Sequence, residues 1–248
     1  MELIQSQNNP RAVRGGHTAP LSNTDPGLRA IEHAIAMKFT CTDACFRMLY
    51  DYGAEPLDVL RANASTARLP VLSEATVASL GCDFQHECHG NWHVWTRTSA
   101  CENPVYKVYL NPCFDDFAQF CLRIGPMLLD SRVAAFKTVT ERWLAVRPDK
   151  FIVYFTQPSD RDAWLADLPA SLIDLRPNPT PFTQYWSPDG FITVATDPKD
   201  SPNQSWRSTL LRSIAAMITA QPTLRTETIK AQIAVYGVDT TTWSRTDD

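Results

Sequence analysis

The sequence is short of several things, and each lack removes a class of protein. No stretch approaches the roughly 18 consecutive apolar residues of a membrane-spanning helix, so no membrane partner is expected. Lys and Arg number 23 against 27 Asp and Glu, and the net charge of −4 offers no basic footprint for nucleic acid. That balance leaves room for a local basic pocket. The seven cysteines are odd in number and irregularly spaced, which argues against a disulfide framework and for a reducing, cytoplasmic setting. The opening stretch, MELIQSQNNPRAVRGGHTAP, holds no apolar signal core, so export by the general route is not expected. Internal repeats and low-complexity segments are also missing.

What is present is an ordinary globular composition, 44% hydrophobic and 20% charged over 248 residues, enough chain for a substantial core. Residues 1–23 are polar and rich in Gly, Pro, Asn and Ser and read as a flexible arm. Residues 24–90 carry helical signals: Thr24-Asp25-Pro26 caps a helix to about Lys38, a second fits Thr42 to Tyr52, a third begins at Glu55-Pro56, and a fourth runs near Ser73 to Leu80. From residue 91 to 240 the pattern alternates. Strands are expected at 92–97, 105–111, 134–140, 150–156, 182–186 and 190–196, and helices at 115–129, 160–175, 201–219 and 224–235. Ser187-Pro-Asp-Gly190 supplies the residues of a tight hairpin. The fold class is therefore α+β: a helical N-terminal subdomain, then a mixed or antiparallel sheet flanked by helices, with a polar tail at 241–248.

Two of the expected strands carry a lysine among apolar neighbours: Lys107 in Val-Tyr-Lys-Val-Tyr-Leu-Asn and Lys137 in Ala-Ala-Phe-Lys-Thr-Val-Thr. A lysine there either snorkels to water from an edge strand, as a guard against edge pairing, or is desolvated until its amine can act as a base. Arg147-Pro-Asp149, just ahead of an apolar strand, reads as a surface ion pair or as a carboxylate holding a guanidinium flat for a phosphate. Ser201-Pro-Asn-Gln204 resembles a capping box whose helix carries Arg207 early. Cys82, His86, Cys88, His89 and nearby His93 crowd metal-ligating types together, with Cys41 and Cys45 as a conceivable second pair. Their spacing fits no common zinc module, so no metal is expected.

Set in order, these segments resemble a known family. Tyr106-Lys-Val-Tyr-Leu-Asn-Pro112, Phe136-Lys137, Arg147-Pro-Asp149, Val153-Tyr-Phe155, Leu175-Arg-Pro177, Pro181-Phe-Thr183, Asp197-Pro198, Arg207-Ser-Thr-Leu-Leu211 and Tyr236-Gly-Val-Asp239 succeed one another as in the HopA-type effector-like family. That family includes type III effectors and the lyase components of class V lanthipeptide and thioamitide biosynthesis. The likeness covers about residues 105–240. Family members often carry Ser-Phe-Gly before the helix arginine, where this chain has Pro202-Asn203-Gln204, and a lysine where Gln184 stands.

The resemblance implies a phosphoserine/phosphothreonine lyase. Such an enzyme eliminates phosphate from a precursor peptide phosphorylated by a kinase-like partner and leaves a dehydroamino acid. It implies Lys137 as the base that takes the α-proton, Arg147, Arg207 and Lys107 as phosphate ligands, Asp149 as the residue orienting an arginine, and His93 as an acid for the leaving group. No cofactor is implied. The alternative is a non-catalytic HopA-like effector or a scaffold that binds a peptide or a kinase.

Overall fold

The computed structural model describes residues 25–55, 72, 74–100, 103–140, 142–198 and 204–245. The expected arm at 1–23, the third helix near 56, the cap at Ser201 and the last three residues of the polar tail lie outside them. The described residues form eight α-helices, a 3-10 turn and two sheets.

The main sheet joins β1 (Phe84–His89), β2 (Trp92–Arg97), β3 (Tyr106–Leu110), β4 (Ala135–Val139), β5 (Phe151–Phe155), β6 (Gln184–Tyr185) and β7 (Ile192–Thr196). Its order is β1-β2-β4-β5-β3-β7-β6, and every neighbouring pair is antiparallel. The α+β expectation holds, in its antiparallel form. All six expected strands are present, and the hairpin at 187–190 joins β6 to β7 with Gly190 at φ +74.

Strand β1 is an addition. Its burial runs from Phe84 inward to five exposed residues, so it lacks the apolar alternation that marks a strand. It pairs with β2 through a two-residue loop, where Gly90 takes φ +57, and so carries the sheet across the boundary expected at 90/91.

One face of the sheet packs on α3 (Glu74–Leu80), α4 (Phe114–Leu128), α5 (Pro158–Ala166) and the single turn α6 (Ala170–Ile173) in a large apolar core. The helix expected over 160–175 is divided into α5 and α6 by Leu168-Pro169, because proline cannot continue the ladder of α5. Glu55 accepts a hydrogen bond from Phe114 N at 2.6 Å and so supplies the cap that Cys113 does not.

The other helices form a second core. α1 (Pro26–Met37) and α2 (Thr42–Asp51) share it with α7 (Trp206–Ala220) and α8 (Thr226–Val235). The N-terminal helices therefore complete a layer whose other half is C-terminal. A small ribbon, β8 (Val238–Asp239) with β9 (Ser244–Arg245), places Trp243 in this core.

Asp25 ties the two ends of the chain together. Its carboxylate caps α1 by accepting from Gly27 N and Leu28 N, and it also accepts from Trp243 Nε1 at 2.9 Å. Gly27 has no side chain because a Cβ there would stand 2.9 Å from the Trp243 ring. Asp25→Ala is expected to lower stability by about 2–4 kcal/mol, since it removes a helix cap and strands a buried indole N–H. Urea unfolding of the purified chain measures the loss.

Candidate functional site

The register of the sheet decides which polar side chains can meet. Lys107 pairs with Tyr154, and Lys137 pairs with Ile152, two residues along the same strand. Side chains two apart on a strand share a face, so both lysines rise from the same side. Tyr109, Tyr154 and Ile152 rise with them, and so does Trp92 of β2. Both lysines sit on interior strands, because the edges are β1 and β6. The edge-guard reading of these lysines is therefore overturned.

Lys107 is 2% exposed. Its ammonium is paired with Asp197 at 2.5 Å and lies 3.4 Å from Ser205 Oγ. Asp197 also accepts from Trp206 N at 2.8 Å. The α7 terminus, expected at Ser201 with a capping box, instead starts at Trp206, and its first free N–H is met by Asp197. Ser205, at the N-cap, makes no side-chain cap bond.

Lys137 is half-buried and differently placed. Its Nζ lies 4.5 Å from the Trp92 ring centroid and 5.8 Å from that of Tyr154. Among the described residues no hydrogen bond or ion pair to it is formed. Burial lowers its pKa below that of a free lysine, with Asp149 and Asp197 opposing and the two arginines assisting.

Between the 3-10 turn (Arg142–Val146) and β5, the segment Arg147-Pro148-Asp149 builds the floor. Arg147 holds Asp149 in a fork, Nε at 3.0 Å from Oδ1 and one terminal nitrogen at 3.2 Å from Oδ2. From α7, Arg207 reaches the same Oδ2 at 3.2 Å and also donates to Pro181 O at 3.0 Å and Tyr50 O at 2.7 Å. Asp149 is 1% exposed. Burial alone would raise its pKa, but Arg207 and Arg147 outweigh it and hold the carboxyl below the usual range. Tyr50 of α2 covers both guanidiniums, its ring centroid 5.1 Å from Arg147 Cζ and 4.5 Å from Arg207 Cζ. Arg147 also faces Trp92 at 5.4 Å.

Two further contacts fix this turn. Thr180 Oγ1 donates to Asn111 Oδ1 at 2.6 Å and sits 3.0 Å from Pro148 O, while Asn111 Nδ2 donates to Gly190 O and Thr193 Oγ1. Phe182, at φ +62, takes a left-handed conformation rare for a bulky residue. It follows Pro181, whose carbonyl receives Arg207.

The cluster is electropositive. Lys107, Lys137, Arg147 and Arg207 meet the two carboxylates of Asp149 and Asp197. Asp51, at the rim, has its pKa raised chiefly by partial burial, and the buried groups keep a positive excess. An anion would relieve it. The groups open to such an anion are Lys137 and the outer edge of Arg147, whose side chain is 16% exposed. Arg207 and Lys107, at 1% and 3% side-chain exposure, are committed to carboxylates behind them.

His93 is elsewhere. It pairs with Thr138, the neighbour of Lys137, and therefore lies on the opposite face of the sheet, among His86 and Cys88. The structure brings Lys107, Lys137, Arg147, Asp149 and Arg207 together and leaves His93 out. Sequence reasoning missed Tyr50, Trp92 and Tyr154. The alternation in Phe-Ile-Val-Tyr-Phe could have placed Tyr154 on the lysine face, but nothing local marks Tyr50.

Asp149→Asn keeps the shape and removes the charge between two guanidiniums. A loss of about 3–5 kcal/mol in unfolding free energy is expected, as for one broken partner of a buried pair. In the same urea assay Glu227→Gln, on the exposed pair with Lys230, should leave the midpoint near that of the wild type.

No family model matches the chain, and no curated protein does. Solved structures do. An effector protein from Pseudomonas syringae pv. tomato strain DC3000 aligns over 88% of this chain and 96% of its own, at 6% identity and a TM-score of 0.57. An effector from Pseudomonas syringae pv. syringae strain 61 aligns over 89% and 95%, at 11% identity and a TM-score of 0.54. The type III effector/phosphothreonine lyase OspF from Shigella flexneri aligns over 72% and 99% at 13% identity, but its TM-score of 0.42 is too low to argue a common fold. The chain thus shares its fold with the two Pseudomonas syringae effectors.

Proposed function

We propose that this protein is a phosphoserine/phosphothreonine lyase, acting by β-elimination on a phosphorylated peptide. The observation that carries the reading is Lys137: a lysine on an interior strand, half-buried against Trp92 and Tyr154, unpaired among the described residues and beside an electropositive floor. The sequence resemblance to the HopA-type effector-like family supports the same chemistry. A precursor peptide of the lanthipeptide kind, phosphorylated by a kinase-like partner, fits that resemblance as substrate.

Lys137 in its neutral form takes the proton from the α-carbon of the phosphorylated residue. The electron pair left behind forms the Cα–Cβ double bond as the Cβ–O bond breaks, and phosphate departs. The outer N–H groups of Arg147 bind the phosphate. Asp149 and Arg207 position Arg147 from behind, and Lys107 with Asp197 fixes the start of α7 beneath Tyr154. A new role falls to Tyr154. Its phenol, raised to about 12 mainly by burial, stays protonated at neutral pH and is placed between the two lysines to donate to the departing oxygen.

The second reading is a non-catalytic effector or scaffold that binds a peptide or a kinase. It is favoured by one observation, the absence of His93 from the lysine face. A single incubation separates the two. With a phosphothreonine peptide, the lyase yields by mass spectrometry a product lighter by phosphoric acid. A phosphatase would return the hydroxyl form, and a binding module would leave the peptide intact.

Lys137→Ala should lower turnover by about two to four orders of magnitude, the usual range for a lost general base, with phosphopeptide binding retained. His93→Ala should stay within about twofold of the wild type; a loss as deep as that of Lys137→Ala would refute the face assignment.

The pH dependence has a definite sign. The active form is the free amine, so kcat/KM rises with pH through the Lys137 pKa. Because burial lowers that pKa, the midpoint of the rise should fall below about 10.4, the ordinary lysine value.

A further inference from the structure

On the face of the sheet turned away from Lys137, the β1–β2 hairpin brings three metal-ligating side chains together. Cys88 stands directly opposite His93, and His86 lies two residues before Cys88, opposite Trp95. All three therefore project from the same side. His86 Nε2 is 3.0 Å from His93 Nδ1, and Cys88 Sγ is 3.3 Å from that nitrogen and 4.0 Å from His86 Nε2. We infer that His86, Cys88 and His93 form a zinc-binding site with three protein ligands and an open fourth position, independent of the proposed lyase centre.

The distances suit a tetrahedral ion. Zn–N bonds of about 2.0–2.1 Å and a Zn–S bond of about 2.3 Å place nitrogens some 3.3 Å apart and nitrogen and sulfur some 3.6 Å apart. The triangle already brackets these values, and small rotamer adjustments complete it. The donors select the ion. Two imidazoles and a thiolate favour zinc or cobalt over magnesium and calcium, which take oxygen ligands. No carboxylate enters the triangle. Glu87 and His89 alternate onto the other face of β1, where they bond each other at 2.7 Å.

The site is also partly built. The His86 ring stacks on Trp95 at 4.5 Å and 23°, and Trp95 stacks on buried Phe136 at 4.8 Å and 10°. His93 packs at 5.5 Å from the same indole. These contacts restrict both imidazoles before any ion arrives, which reduces the ordering required on binding. His86 and Cys88 are exposed, so the fourth position opens to water. On binding, the thiol proton goes to solvent, and the proton shared between the two rings moves to a ring nitrogen that faces away from the ion. The ion then cross-links edge strand β1 to its sheet neighbour β2.

The test uses the whole metal-free protein, kept reduced and titrated with Co2+. One equivalent should produce the visible bands of tetrahedral cobalt and a thiolate-to-cobalt charge-transfer band, both bleached by Zn2+. Cys88→Ser should lose the charge-transfer band, and His86→Ala and His93→Ala should weaken binding by about tenfold or more. Cys82→Ser, at an exposed thiol outside the triangle, should bind as the wild type does. Zn2+ should raise the melting temperature of the wild type and leave that of Cys88→Ser unmoved. Absence of a charge-transfer band, its survival in Cys88→Ser, or its loss in Cys82→Ser would each overturn the assignment.

Discussion

The site depends on one buried carboxylate. Asp149 lies between Arg147, from its own turn, and Arg207, from a helix almost 60 residues later, with Oδ2 at 3.2 Å from each. Neither arginine alone would suffice. A buried ion is costly unless its remaining lone pairs and protons are met, and here Tyr50 O and Pro181 O accept the rest of the Arg207 guanidinium. One interaction thus joins α2, the 147–149 turn, the 181–183 segment and α7. These belong to both cores, so the helical layer and the sheet are registered to each other through it. The consequence for function is geometric. Arg147 cannot rotate away from Asp149 without losing both of its fork bonds, so its free edge has a fixed direction.

The same constraint explains why the helical layer is assembled from both ends of the chain. α7 must begin where Asp197 can meet Trp206 N and Lys107 together, and Arg207 must then fall on its first turn. α1 and α2 cover the far side of α7, and Asp25 closes the arrangement by holding Trp243. Sequence order conceals this. Residues 24–52 read as helices with an apolar face, which is right, but periodicity shows only that such a face needs a partner and never which one. The partner, α7, lies far along the chain: Tyr50 and Arg207, which meet across this contact, are 157 residues apart.

How much was legible follows from where each signal resides. Strands β3, β4 and β5 announce themselves because their apolar runs are bounded by turn residues, and the pairing of β4 with β5 follows from a short connection. β1 was not legible, since an edge strand with five exposed side chains has no alternation to read. The lysines could be singled out from their neighbours, yet whether they were edge guards depended on strand order, a non-local property. His93 shows the limit most plainly. It stands one residue from Trp92, and a period of two sends these neighbours to opposite sides of the sheet. The family resemblance implied a part for it in elimination; its face sets it beside Cys88 and His86.

Elimination suits this pocket better than hydrolysis does, for a reason internal to its charges. Hydrolysis of a phosphoester requires a group that activates water, and on this face the natural candidates are carboxylates. Asp149 is held by two guanidiniums and Asp197 by the Lys107 ammonium and the Trp206 amide. Asp149 is therefore weakened as a base, its pKa driven down. Among the described residues of the cluster only Lys137 combines a lowered pKa with a nitrogen unclaimed by an acid. A desolvated amine flanked by Trp92 and Tyr154 is suited to removing a carbon-bound proton, since the rings keep bulk water from the proton acceptor. Burial lowers the pKa of Lys137, with the two arginines assisting, and in the proposed elimination the outer edge of Arg147 would stabilise the departing phosphate.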